Sequence, residues 1–147
     1  MEQHAANACG TIAALHSIVN IARLHPHLIA KDSFLEKFIV STKDLTPEER
    51  GDFLKKNKDL EEAHKEAVQA GESEVEDVVM THFIAFVEVD GCLYELDGTK
   101  DQPINHGECK TEEVLSKSCT VIKQFMDRDP EEIRFTILAL SKTPESE

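Results

Sequence analysis

Residues 7–24 (NACGTIAALHSIVNIARL) constrain the fold more than any other stretch of the chain. Asn7 is a good N-cap residue, and Ile12, Leu15, Ile18, Val19 and Leu24 wrap most of the circumference of the helix that follows it. A helix that is apolar on most sides needs neighbours on most sides, so it belongs in the middle of a fold. Its polar stripe of His16, Asn20 and Arg23 follows helical spacing, and Cys9 extends that stripe to the N-terminal end. A cysteine therefore starts a buried helix.

The rest of the chain supplies what packs around it. His25-Pro26-His27 breaks the helical pattern, and Ser33 with Glu36 forms a capping box for a short helix carrying Phe34, Leu35, Phe38 and Ile39. Thr46, Pro47 and Glu49 supply N-cap, N1 and N3 of a third helix running to about Asn57. Residues 61–77 (EEAHKEAVQAGESEVED) are acidic and Ala-rich and are interrupted by Gly71, which reads as a surface loop with partial helix. His82 to Val89 (HFIAFVEV) is rich in β-formers, and Asp90-Gly91 followed by CLYEL is a strong hairpin signal. Residues 103–107 (PINHG) read as irregular or short extended chain. Thr111 is placed to cap a helix through about Met126, and residues 133–140 (IRFTILAL) read as a final strand. No repeat or low-complexity linker divides this order, so one α+β or mixed α/β domain is expected.

Composition narrows the partners. Sixteen Lys and Arg stand against 29 Asp and Glu, a formal charge of −13, which disfavours nucleic acid and anionic membranes and favours a basic partner. An acidic surface also serves solubility alone, and composition by itself favours that plainer reading. There is no apolar run long enough to span a bilayer and no signal-peptide pattern at MEQHAANACG, so the protein is expected to be cytoplasmic. In that compartment Cys9, Cys92, Cys109 and Cys119 are expected as free thiols.

Free cysteines are usually inert packing, and that reading holds for Cys92, Cys109 and Cys119. Cys9 differs because the unpaired N–H groups and dipole of a helix start favour a thiolate, the form that attacks carbonyls. A thiol nucleophile needs an imidazole, and the imidazole needs an acceptor to fix its tautomer. His4, His25, His27 and His64 lie in loop-like or polar stretches. His16 shares the helix with Cys9 but sits roughly 10 Å further along its axis, beyond hydrogen-bond reach. His82 opens one strand of the hairpin and Asp97 ends the other, which brings the two together. Gln3 precedes the helix, where its side-chain amide would reach an oxyanion together with the Cys9 N–H; a surface glutamine would look the same.

The assembled pattern closely resembles the ubiquitin carboxyl-terminal hydrolase family, in its short single-domain, papain-like form. Gln3 with Asn7-Ala8-Cys9-Gly10-Thr11 resembles the family's nucleophile block, and His82-Phe83-Ile84 resembles its histidine strand. Asp90-Gly91, Leu93 to Gly98 and Pro103 to Gly107 resemble its hairpin and aspartate loop. Phe125-Met126, Arg128-Asp129-Pro130, Arg134-Phe135 and Ala139-Leu140-Ser141 resemble its tail. The resemblance implies an antiparallel sheet flanked by helices, with a buried central helix starting at the nucleophile.

It also implies that Cys9 attacks the carbonyl after ubiquitin's C-terminal glycine and forms an acyl-enzyme, that His82 shuttles the proton, that Asp97 holds His82, and that Gln3 lines the oxyanion hole. No cofactor is implied. The partner would be ubiquitin or a ubiquitin-like protein, whose basic tail suits the acidic surface, and residues 61–77 would form the family's crossover loop. Family members carry a substantial segment ahead of the glutamine, whereas Met1 here stands two residues before Gln3. The resemblance thus implies that the family's N-terminal strands are absent and that 1–147 is one N-terminally truncated catalytic domain, with the apolar helix at 7–24 short of partners. A non-catalytic ubiquitin-binding fragment is the rival expectation. A metal-binding reading is weak, since no C-x-x-C or H-x-x-x-H spacing is present.

Overall fold

The computed structural model describes Met1, residues 8–58 and residues 81–141. Among the described residues three helices come first: α1 (Cys9–Leu24), α2 (Phe34–Thr42) and α3 (Pro47–Lys56), with one 3₁₀ turn (Pro26–Leu28) after α1. An antiparallel sheet follows, β1 (Ala85–Val89), β2 (Cys92–Leu96) and β3 (Ile104–Glu108) in the order β1-β2-β3. A second 3₁₀ turn (Thr111–Glu113) leads into α4 (Val114–Met126). The architecture is α+β, and no described helix is long and apolar enough to cross a membrane.

Two of the four expected caps form on the expected side chains, one of them only in part. Thr46 accepts from the Glu49 N–H at 3.2 Å while the Glu49 carboxylate takes the Thr46 N–H at 2.8 Å, a complete capping box with Pro47 at N1. Ser33 accepts from the Glu36 N–H, but Glu36 returns to the Asp32 N–H instead of that of Ser33, so this box is half closed. Asp32 takes a positive φ of 60° there, which aims its N–H at the carboxylate. At α1 the N-cap is Ala8, which makes no side-chain cap; Asn7 lies outside the described residues. Thr111 does not cap α4 either. Its hydroxyl donates to Glu88 Oε2 at 3.3 Å, and the chain enters α4 through the 3₁₀ turn, with the Lys110 N–H on the Glu113 carboxylate.

Two apolar clusters hold these elements. Ile12 and Leu15 of α1 pack with Phe38 of α2 and Leu54 of α3, supported by Val19, Phe34, Leu35 and Phe53. Leu93 of β2 packs with Cys109 and Val121, supported by Phe86, Val114 and Phe125. The period of two along β1 and β2 divides them: Phe86 and Leu93 point to the α4 side, and Ala85 and Val87 are buried on the opposite face of the strand that α1 packs along. Helix α1 is thus covered by α2 and α3 on one side and by β1 on another, although Leu24 at its end stays 54% exposed. Its stripe is not wholly surface, because His16 is buried.

The hairpin forms in the expected register, Val89 opposite Cys92 and Ala85 opposite Leu96. Asp90 and Gly91 both take positive φ, 52° and 80°, the primed turn that an Asp-Gly pair favours. Of the two expectations for residues 103–107, irregular or short extended chain, the second holds: Ile104–Glu108 pairs with β2 across a bulge, with Gly107 at φ 93°. The expected strand at 133–140 does not form. That segment has no ladder partner among the described residues, and Ile133 and Leu138 are both 87% exposed. β-propensity selects an extended chain but supplies no neighbouring edge to bond.

Candidate active site

The hairpin delivers an imidazole to a carboxylate. β1 begins at Ala85, so His82 lies three residues before the strand instead of opening it, and Asp97 follows the last residue of β2. With Ala85 opposite Leu96, the chain ends just beyond that pair adjoin, and His82 Nε2 sits 2.8 Å from Asp97 Oδ1. The Asp97 side chain is only 7% exposed, against 39% for His82. The same Oδ1 accepts the Thr99 N–H at 2.9 Å and the Thr99 hydroxyl at 2.8 Å. Burial pushes the Asp97 carboxyl up, but the Thr99 amide, the His82 ring and the Thr99 hydroxyl outweigh it and hold the group below its ordinary value. An ionised carboxylate therefore faces the ring nitrogen, which fixes one imidazole face and leaves Nδ1 for chemistry.

Helix α1 brings Cys9 to that same end of the hairpin. Gly10 faces the Phe83 ring, where a Cβ would lie 3.7 Å from the ring edge, and Arg23 reaches Asp90 Oδ1 at 3.3 Å. These two contacts lie about 20 Å apart along the helix and about 23 Å apart along the extended chain from residue 83 to 90, so α1 runs alongside β1 in the same direction. Its N-terminal end, with Cys9, accordingly lies beside the residues next to His82 and not beside the turn. Cys9 is buried, at 8% exposure, and the N-cap residue Ala8 makes no side-chain cap. Gln3 and the expected crossover loop at 61–77 lie outside the described residues.

His16 is not part of a nucleophile pair. Its Nε2 is 3.0 Å from the Met1 α-amino group, and burial, helped by that charge, pushes its pKa down to about 4. Among the described residues no group of three or more His, Cys, Asp or Glu side chains is placed to hold a metal ion.

Four residues around Asp97, namely Glu95, Thr99, Lys100 and His106, were given no role by the motifs. Glu95, 2% exposed, accepts from Lys100 Nζ at 2.5 Å and pairs with His106 Nε2 at 3.0 Å, while Lys100 Nζ is also 3.7 Å from Asp97 Oδ2. Thr99 had a readable signal, since an aspartate commonly bonds the backbone two residues on. Glu95 had one as well, a carboxylate at an inward strand position two residues from Leu93.

An α+β scaffold with a cysteine at a buried helix start and a His–Asp pair on the adjoining hairpin is the frame of a thiol hydrolase. The family model for ubiquitin carboxyl-terminal hydrolase, family 1, matches residues 1–127, and the chain belongs to that family. It is 41% identical over 142 residues to the Arabidopsis thaliana ubiquitin carboxyl-terminal hydrolase 3, covering 97% of this chain and 60% of that protein. It is 42% identical over 143 residues to the Drosophila melanogaster ubiquitin carboxyl-terminal hydrolase, covering 96% and 61%. The Trichinella spiralis UCH37 catalytic domain bound to ubiquitin vinyl methyl ester superposes with a TM-score of 0.69 at 25% identity, over 90% of this chain and 58% of that one. The chain thus spans about three fifths of the length of the relatives it matches.

Proposed function

We propose that the chain is a deubiquitinating thiol hydrolase, with residues 1–147 working as one catalytic domain that cleaves esters, thioesters, amides or short peptides from the C-terminal glycine of ubiquitin. The observation that carries the proposal is the His82–Asp97 hydrogen bond at 2.8 Å on the hairpin that α1 runs beside, with Cys9 at the adjoining helix end. In this reading Cys9 Sγ attacks the glycyl carbonyl, His82 takes the thiol proton and delivers it to the leaving group, and Asp97 keeps the ring oriented. The Cys9 N–H and the Gln3 amide stabilise the oxyanion, and water, activated by His82, releases the acyl group. Ubiquitin is the ligand of the structural relative, and its basic C-terminal tail suits a chain of charge −13.

The test is release of a fluorophore from a ubiquitin C-terminal amide. Wild-type protein is expected to turn over, Cys9→Ala to show none, and Asp97→Asn to be slower by roughly 10²-fold, the scale of a misdirected acid–base group. Release by Cys9→Ala equal to wild type overturns the proposal.

The burial of Cys9 favours one second reading, a ubiquitin-binding chain without turnover, because a covered thiol has to be uncovered before it attacks. Binding of ubiquitin with no labelling by a ubiquitin vinyl ester identifies that case.

A further inference from the structure

We propose that buried Glu95, acting through Lys100, sets the orientation of Asp97 and so of His82, which makes Glu95 and Lys100 positioning residues for the hydrolysis. The inference rests on the reading of His82 and Asp97 as the catalytic pair.

Glu95 stands on the face of β2 that points toward α4, opposite Phe86 across the hairpin. A carboxylate this buried is costly unless both oxygens are paired, and both are: Oε1 with Lys100 Nζ and Oε2 with His106 Nε2. Lys100 belongs to the connection between β2 and β3, and His106 belongs to β3, so Glu95 ties that connection to the strands on either side of it. The Lys100 N–H closes the same connection on the Asp97 carbonyl at 3.2 Å.

The consequence falls on Asp97, whose two oxygens have divided duties. Oδ1 receives the His82 ring and both Thr99 donors, and Oδ2 faces the Lys100 ammonium at 3.7 Å. A rotation of the carboxylate would take Oδ1 off His82 and Oδ2 off Lys100 together. The ammonium is nearer to Glu95, at 2.5 Å, than to Asp97, so its position is set by the buried strand residue and not by the group it steadies. An exposed Lys–Asp pair alone would contribute little; here one end is fixed in a strand.

Lys100→Met keeps the aliphatic stem at a side chain 39% exposed and removes only the ammonium. The readouts are the Nε2–H resonance of His82 in ¹⁵N-histidine-labelled protein, assigned by its loss in His82→Gln, and turnover of the ubiquitin fluorogenic amide. Lys100→Met and Glu95→Gln are expected to lose that resonance and to lower kcat about tenfold with KM within twofold, while Lys100→Arg restores both. Should Lys100→Met fail to fold, Lys100→Gln takes its place. A wild-type resonance in a folded Lys100 variant overturns the inference and leaves the hydrolase reading standing. A wild-type chain with no turnover sinks the hydrolase reading, and the resonance still decides whether Lys100 positions Asp97.

Discussion

His16 shows how far a single buried side chain departs from the role its spacing suggests. It shares a helical stripe with Cys9, Asn20 and Arg23, yet the fold turns it inward, where burial takes its pKa from 6.5 to about 4. Neutral imidazole is therefore the folded form, while the unfolded chain binds a proton on the same ring below its ordinary value. Stability is full above that ordinary value and falls with decreasing pH until the folded pKa is reached. The loss is on the order of 2 kcal/mol. Urea unfolding at pH 7 and pH 4.5 is expected to show a decrease of that size in wild type beyond the one in His16→Gln; equal decreases would exclude the buried neutral ring. The meeting of His82 with Asp97 and the place of Cys9 at a buried helix start were legible in the sequence because each follows from a strongly marked local element. Lys100 was not, because its importance comes from a carboxylate five residues away that has to be buried first.

At the scale of elements, the hairpin decides whether His82 and Asp97 meet, and the hairpin depends on two residues in left-handed backbone. Gly91 at φ 80° has open space around the position of a Cβ, so Gly91→Ala meets no neighbour and costs backbone strain alone, about 1 kcal/mol. Thermal unfolding should move down by a few degrees, with the His82–Asp97 bond kept. A Tm equal to wild type would show that the turn does not hold this conformation. What the sequence revealed well were features whose cause is local: the Asp-Gly turn, the Thr46 box, the apolar periodicity of α1. It revealed poorly those fixed by a partner. Thr111 lost its capping role to Glu88, a residue on β1, and β3 formed from a stretch with little β-propensity because Tyr94 and Glu95 offered it an edge. Residues 133–140 have the stronger propensity and no edge among the described residues.

That unpaired segment and the charge of the whole molecule act against each other. Ile133, Phe135, Ile137, Leu138 and Leu140 are all exposed, on a segment with no ladder partner among the described residues, and an exposed run of apolar β-formers is a usual origin of strand-to-strand association. A formal charge of −13 on 147 residues keeps copies apart at low ionic strength. Salt weakens the repulsion, since the Debye length falls from roughly 10 Å at 0.1 M to about 3 Å at 1 M, but leaves the apolar attraction intact or strengthens it. Self-association should therefore increase with salt, the reverse of what an ion-paired interface would do. Sedimentation velocity at fixed protein concentration from 0.05 to 1 M NaCl is expected to show a rising weight-average mass for wild type and a flat one for Ile137→Lys with Leu138→Lys. These positions are exposed, so the double variant should keep the thermal midpoint of wild type to within about 0.5 kcal/mol of stability. A mass that falls with salt, or one that rises equally in the variant, would place the association elsewhere on the acidic surface.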